Sequence, residues 1–191
     1  MKNWKSIDYL LHGNKKQIKA YDAIIKSSIL EILNEYNSIL VGTIPIEVDI
    51  DDSDLDIICE VYDFDNFIKV LNNNFGEYEN YILKNKQNDY NQIIVANFRF
   101  MGFEFEIYAT SFPTETFNGY KHMLIENRIL DLLGKEFREK VIALKIEGLK
   151  TEPTFAKLLG LSGDPYDELL KLKDCSNQEI IGLYETAKTL T

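Results

Sequence analysis

The chain has 191 residues, 45 % of them hydrophobic and 12 % aromatic, which suffices for one domain with a real core and excludes wholesale disorder. Acidic residues number 31 and basic residues 21, a net charge of -10; such a surface repels phosphate backbones and argues against long nucleic acid as a partner, though not against a nucleotide brought in with metal ions. Two cysteines, Cys59 and Cys175, make neither a disulfide framework nor a zinc motif, and with no leader-like or 18-residue apolar stretch the expectation is a cytoplasmic protein that does not enter a membrane.

In chain order, residues 15–36 show apolar positions at helical spacing, with Ile18, Tyr21, Ile25, Ile29, Ile32, Leu33 and Tyr36 on one stripe. Ser38 to Val41 is a short buried strand that ends at Gly42 and Thr43, and after an irregular stretch Asp54 to Val61 is a second strand. Residues 64–74 form a helix stopped by Gly76. Strands follow at Gln92 to Phe100 and Phe103 to Thr110, with Met101-Gly102 as the tight turn between them. Past Pro113 the pattern becomes helical: 116–133 up to Gly134, about 136–147 up to Gly148, a short helix between Pro153 and Gly160, another that starts at Pro165 after Asp164, and a last one over about 177–189. The expected organisation is a core over 1–113 and a helical region over 114–191 packed on it.

The stretch VGTIPIEVDIDDSDLDIICE, residues 41–60, holds seven carboxylates: Glu47, Asp49, Asp51, Asp52, Asp54, Asp56 and Glu60. A solvated acidic loop explains Glu47 through Asp52. Asp54 and Asp56 are different, because they alternate with Leu55 and Ile57 at the head of an apolar strand and therefore point the same way. Two strand rises put their Cα atoms about 6.5 Å apart. Like charges that close call for a counter-charge, and clustered oxygen ligands suit a divalent cation such as magnesium. Gly42 lets backbone approach a ligand, and a Gly-Thr turn offers amide hydrogens and a hydroxyl to a phosphate.

The full arrangement is Val41-Gly42-Thr43, ten further positions, then Asp54-Leu55-Asp56-Ile57. It resembles the signature of the nucleotidyltransferase superfamily, whose fold is shared with DNA polymerase beta; the superfamily usually has Gly-Gly or Gly-Ser where this chain has Gly-Thr. That resemblance spans mainly residues 38–110. The longer texture, including GTIPIEVDI, SDLDIICE, FEFEIYA, YKHMLIENRIL and KTEPTFAKLLGL, is similar over most of the chain to a bacterial family of small proteins known only as a domain of unknown function.

The resemblance implies an α+β fold: a small mixed sheet as nucleotidyltransferase core, a flanking N-terminal helix and a helical C-terminal half. It implies Mg2+ (or Mn2+) held by Asp54 and Asp56, with a third acidic residue on a neighbouring strand. Glu104 and Glu106 both qualify, since they alternate with Phe103, Phe105 and Ile107 and share a face. With Met101-Gly102 as a two-residue turn, Arg99 opposes Glu104 and Asn97 opposes Glu106. Glu104 then has a cation of its own, which favours Glu106 as the third metal ligand and proton acceptor and keeps Glu104 as the other candidate. Members usually carry Asp there. Gly42, Thr43 and Ser53 are expected at the nucleotide phosphates, and Lys121 and Arg128 at the triphosphate or acceptor.

His122 and Glu126 sit four residues apart on a predicted helix, either as a polar patch lining the acceptor side or as a surface pair. With two distant histidines in the chain, a histidine-based metal site has little support. The implied activity is transfer of a nucleoside monophosphate from an NTP to a hydroxyl, with the acidic surface pointing to a small molecule or protein as acceptor. The alternatives are a catalytically inactive nucleotide- or partner-binding protein on the same fold and, third, a metal-dependent phosphohydrolase. The helical half is also a candidate surface for a homodimer.

Overall fold

The computed structural model describes residues 2–87 and 91–189. They form two compact units: Met1–Glu47 with Asp52–Phe117, and Val48–Asp51 with Asn118–Thr191. Among the described residues no helix is long and apolar enough to cross a membrane.

The first unit is built on a five-stranded mixed sheet of order β1-β2-β5-β4-β3. Its strands are β1 (Ile39–Val41), β2 (Leu55–Glu60), β3 (Glu79–Gln87), β4 (Gln92–Phe100) and β5 (Phe103–Thr110). β2 runs parallel to β5, and the other neighbours are antiparallel. One face is apolar. Leu55, Ile57 and Cys59 of β2, Ile94, Ala96 and Phe98 of β4, and Phe103, Phe105, Ile107 and Ala109 of β5 are buried there with residues of α1 (Lys15–Ser27) and α3 (Phe64–Phe75). Phe98 lies stacked between Phe75 (5.0 Å) and Phe105 (4.9 Å), so a helix, a middle strand and its neighbour share one aromatic column.

The Met101-Gly102 turn has φ of 50° and 83°. Positive φ at both central residues is the twist-matched hairpin geometry, which glycine allows without strain. The observed pairs are those expected from a two-residue turn: Phe100 with Phe103, Arg99 with Glu104 and Asn97 with Glu106.

Two expectations need correction. The N-terminal helix is not continuous over 15–36: Ser28 adopts φ 52°, ending α1 before the single turn α2 (Ile29–Ile32). Ile29, Leu33 and Tyr36 of the apolar stripe are buried, but within α1 the buried face is a different one. Gln17, Ala20, Ala23, Ile24 and Ser27 face inward, leaving Ile18 and Ile25 40 % and 53 % exposed. Small side chains let the helix come close, and the buried Gln17 amide donates to the Ile44 carbonyl at 2.8 Å, anchoring that face rather than the bulkier one. The strand β3 was not anticipated. It is an edge strand of mostly exposed residues in which only Tyr81 and Leu83 are half-buried, so neither strand alternation nor an apolar run announces it, and Lys84 and Lys86 guard its free edge.

The second unit holds α4 (Asn118–Ile146), interrupted at Gly134 where φ is 73°, then α5 (Thr151–Leu158), α6 (Pro165–Lys171) and α7 (Asn177–Thr189). The interruption divides α4 where the sequence places a helix stop. Phe137 is fully buried and packs edge-on against Phe155 (5.6 Å) and Tyr184 (5.0 Å), joining α4 to α5 and α7. Asp164 caps α6 by accepting from the Tyr166 and Asp167 amides.

Replacing Phe98 by Ala empties the centre of the aromatic column and is expected to lower the unfolding free energy by about 3–5 kcal/mol, measured by urea denaturation; Phe98→Leu is expected to cost less.

Candidate functional site

The face of the sheet opposite the core carries the carboxylates, beside buried apolar residues such as Val41 and Ile58. In the parallel register Asp56 of β2 is paired with Glu106 of β5, and Leu55 with Phe105. Neighbouring strands lie about 4.8 Å apart, so Asp56 and Glu106 are adjacent on one face. Asp54 immediately precedes β2, two residues before Asp56. Asp54, Asp56 and Glu106 are half-buried, while Glu104, two residues before Glu106 on β5, is exposed and is paired with Arg99 of β4. Glu106 accepts a hydrogen bond from the Asn97 amide at 3.3 Å.

The turn after β1 is shaped around these groups. Val41 pairs with Asp56, and Gly42 has φ +88°. A Cβ placed on Gly42 would run into the Asp56 carboxylate, so glycine is needed both for the backbone conformation and for the approach of the acid. Thr43 Oγ1 donates to Ser53 Oγ at 3.2 Å, tying the two ends of the 43–53 loop together. Asp56 is thus flanked by Glu106 on one side and by the Gly42 turn on the other.

Farther along that face, Tyr108 is two residues beyond Glu106. Burial and then the Glu106 charge raise its phenol above the usual range. Tyr108 also lines an open surface groove of about 340 Å³ with Asn91, Thr110, Phe112, Thr116 and Phe117. The sequence does not announce this groove, because its lining joins Asn91, ahead of β4, to β5 and the segment after it and carries no motif.

The donor chemistry of the acidic set fits a hard divalent cation. All donors are carboxylate oxygens, Asp56 and Glu106 on one face, and the Gly42 cradle leaves the Asp56 carboxylate its place. Among the described residues, however, Asp54, Asp56 and Glu106 are not a group whose ligand atoms all lie within 4.8 Å of one another. His122, Glu126 and Glu152, all in the second unit, are such a group.

Other candidates from the sequence lie in that second unit. Arg128 is a clamp: Nε and Nη2 donate to Asn177 Oδ1 (3.0 and 2.7 Å), Nη1 to the Leu172 carbonyl (3.2 Å) and Nη2 to the Cys175 carbonyl (2.7 Å). All three of its nitrogens thereby hold the start of α7 and the turn before it. Lys121 is half-buried on α4. His122 and Glu126 are not a surface pair, since each is only 4 % exposed.

A family model described as "Domain of unknown function (DUF4269)" matches residues 22–172. No curated protein matches. Solved structures similar to the chain include the Cid1 poly(U) polymerase, at TM-score 0.56 and 12 % identity over 82 % of this chain and 54 % of that one. A Cid1 structure with MgGTP bound is similar at TM-score 0.52 and 12 % identity, over 80 % and 48 %. The polymerase core of TRAMP, an RNA surveillance complex, is similar at TM-score 0.50 and 15 % identity, over 90 % and 59 %. The chain spans about half the length of these neighbours. At such identities the likeness establishes the nucleotidyltransferase-like fold.

Gly42→Ala is expected to lower the unfolding free energy by about 1–3 kcal/mol through the positive φ alone, and to push the Asp56 carboxylate off its place. Urea denaturation measures the first effect, and loss of any nucleotide-dependent thermal shift the second.

Proposed function

The chain belongs to the DUF4269 family and has a nucleotidyltransferase-like fold, and from that premise we propose that it is a metal-dependent nucleotidyltransferase moving a nucleoside monophosphate from an NTP to a hydroxyl of a small molecule or protein. The observation that carries the reading is the pairing of Asp56 with Glu106 across parallel strands, with Gly42 cut away beneath Asp56. Asp54, Asp56 and Glu106 would hold Mg2+ (or Mn2+), which when bound neutralises triphosphate charge and lowers the pKa of an attacking hydroxyl.

The rest falls to the chain's own groups. The Gly42–Thr43 turn presents an amide and a hydroxyl to the terminal phosphates, with Ser53 orienting the Thr43 hydroxyl. Glu106, oriented by the Asn97 amide, accepts the proton of the acceptor hydroxyl. The acceptor oxygen bonds to the α-phosphorus, the bond from that phosphorus to the bridging oxygen breaks, and pyrophosphate leaves. Positioning and charge supply most of the rate. One observation favours a small or protein acceptor: the net charge of -10.

A second reading, a nucleotide-binding protein without turnover, draws on one observation: the sheet carboxylates are not gathered within 4.8 Å of one another. The two readings separate in one experiment. The protein is titrated with ATP, GTP, CTP and UTP, with and without Mg2+ or Mn2+, following melting temperature and pyrophosphate release. A metal-dependent rise of roughly 5–10 °C near 100 Kd is expected, absent in Asp54→Asn/Asp56→Asn. Glu106→Gln is expected to keep most of that rise while pyrophosphate release falls about 10²–10⁴-fold. A thermal rise with no release under any tested acceptor favours the binding protein; no rise with any nucleotide removes both.

A further inference from the structure

His122 and Glu126 lie one turn apart on the same side of α4, each only 4 % exposed. His122 Nδ1 and Glu126 Oε1 are both buried with no hydrogen-bond partner. A buried polar atom left unpaired is costly and uncommon in a native interior. Two of them one turn apart point to a common missing partner.

The third member is Glu152, half-buried in the first turn of α5. One ligand atom from each of the three lies within 4.8 Å of the others. This closeness is electrostatically unfavourable as it stands. Burial, and then the Glu152 charge, push the Glu126 carboxyl up to about 8, while Lys145 pulls it the other way without prevailing. Lys145 is itself buried and donates to the Val48 carbonyl at 2.7 Å. Burial pushes the His122 imidazole down, opposed by Glu152 and Asp167; the neutral ring is the form that ligates metals. Tyr166 meets the imidazole edge-on at 6.0 Å, which restrains its plane.

A water donating to both atoms would pair them but leave the repulsion between the two glutamates in place. A divalent cation would satisfy both orphans and turn the repulsion between the two glutamates into shared attraction. One imidazole with two carboxylates is a set for a transition metal, whereas all-oxygen sets suit magnesium and calcium. We propose that His122, Glu126 and Glu152 bind one divalent transition-metal ion, Zn2+ foremost, joining α4 to α5 within the helical unit. The ion has three protein ligands and keeps a position open to water or a ligand oxygen. This site shares no residue with the acidic set on the sheet, and stands or falls independently of nucleotide transfer.

The test uses the full-length protein without a histidine tag, stripped with EDTA and titrated with ZnCl2, MnCl2 and MgCl2. Calorimetry and native mass spectrometry give stoichiometry, and melting temperature gives linkage. One Zn2+ per chain is expected, bound more tightly than Mn2+ and far more tightly than Mg2+, with a melting-temperature rise of roughly 5–10 °C near 100 Kd. Glu152→Gln sits at a half-buried position and should fold; it is expected to weaken Zn2+ by more than the roughly 10- to 100-fold typical of losing an outer partner. His122→Gln is expected to abolish the site, and Asp54→Asn/Asp56→Asn to retain it. Zinc-edge X-ray absorption of the unmutated protein should show one imidazole per ion, a readout independent of how the variants fold. Substoichiometric Zn2+, an imidazole-free spectrum, binding indifferent to Glu152→Gln, or binding lost in the Asp54/Asp56 variant would each overturn the proposal.

Discussion

The parallel pairing of β2 with β5 is the constraint from which the sheet's two faces follow. It sets Leu55 beside Phe105 and Ile57 beside Ile107 on one side, and Asp56 beside Glu106 on the other. A strand's side chains alternate, so a slip of one residue would carry Glu106 into the core and Phe105 or Ile107 into water. The burial of those apolar residues therefore holds the acidic pair in register. The Met101-Gly102 turn performs the same service for β4 and β5, and the aromatic column from Phe75 through Phe98 to Phe105 crosses both strands. Core and acidic face are two consequences of one register.

Gly42 shows how closely the acidic end is fitted to the backbone around it. The turn after β1 needs a positive φ, and the space where a Cβ would stand is taken by the Asp56 carboxylate. The Thr43–Ser53 hydroxyl pair then closes the loop that separates the two halves of the motif. Backbone conformation, side-chain volume and the position of an acid meet in a single residue type.

The helical unit treats polar groups differently. On the sheet the carboxylates are half-buried or exposed, with water as a ready partner. In the helical unit His122, Glu126 and Lys145 are buried, as are Met123, Ile129 and Val141. Arg128 is spent on carbonyls and on Asn177. Low local polarity makes each satisfied contact there firm and each unsatisfied one expensive, which is why Nδ1 of His122 and Oε1 of Glu126 stand out while exposed acids elsewhere do not.

Much of this was legible before folding. Alternation alone placed Glu104 with Glu106, because a strand has a period of two whatever surrounds it, and a two-residue glycine-containing turn set Asn97 opposite Glu106 by counting. Helix stops at Gly134 and a start at Pro165 were readable because proline and glycine act on their own backbone. What depends on distant partners was not readable. The edge strand β3 is strand only because β4 pairs with it. The inward face of α1 is decided by Gln17 reaching Ile44 and by small residues allowing close approach, not by the stripe of isoleucines. The register of β2 against β5, the seat of Asp56 on Gly42, the capture of Arg128 by Cys175 and Asn177, and the meeting of His122 and Glu126 with Glu152 all join residues far apart in the chain. Local periodicity determines which side chains share a face; only the packed chain decides which faces are buried and which groups meet there.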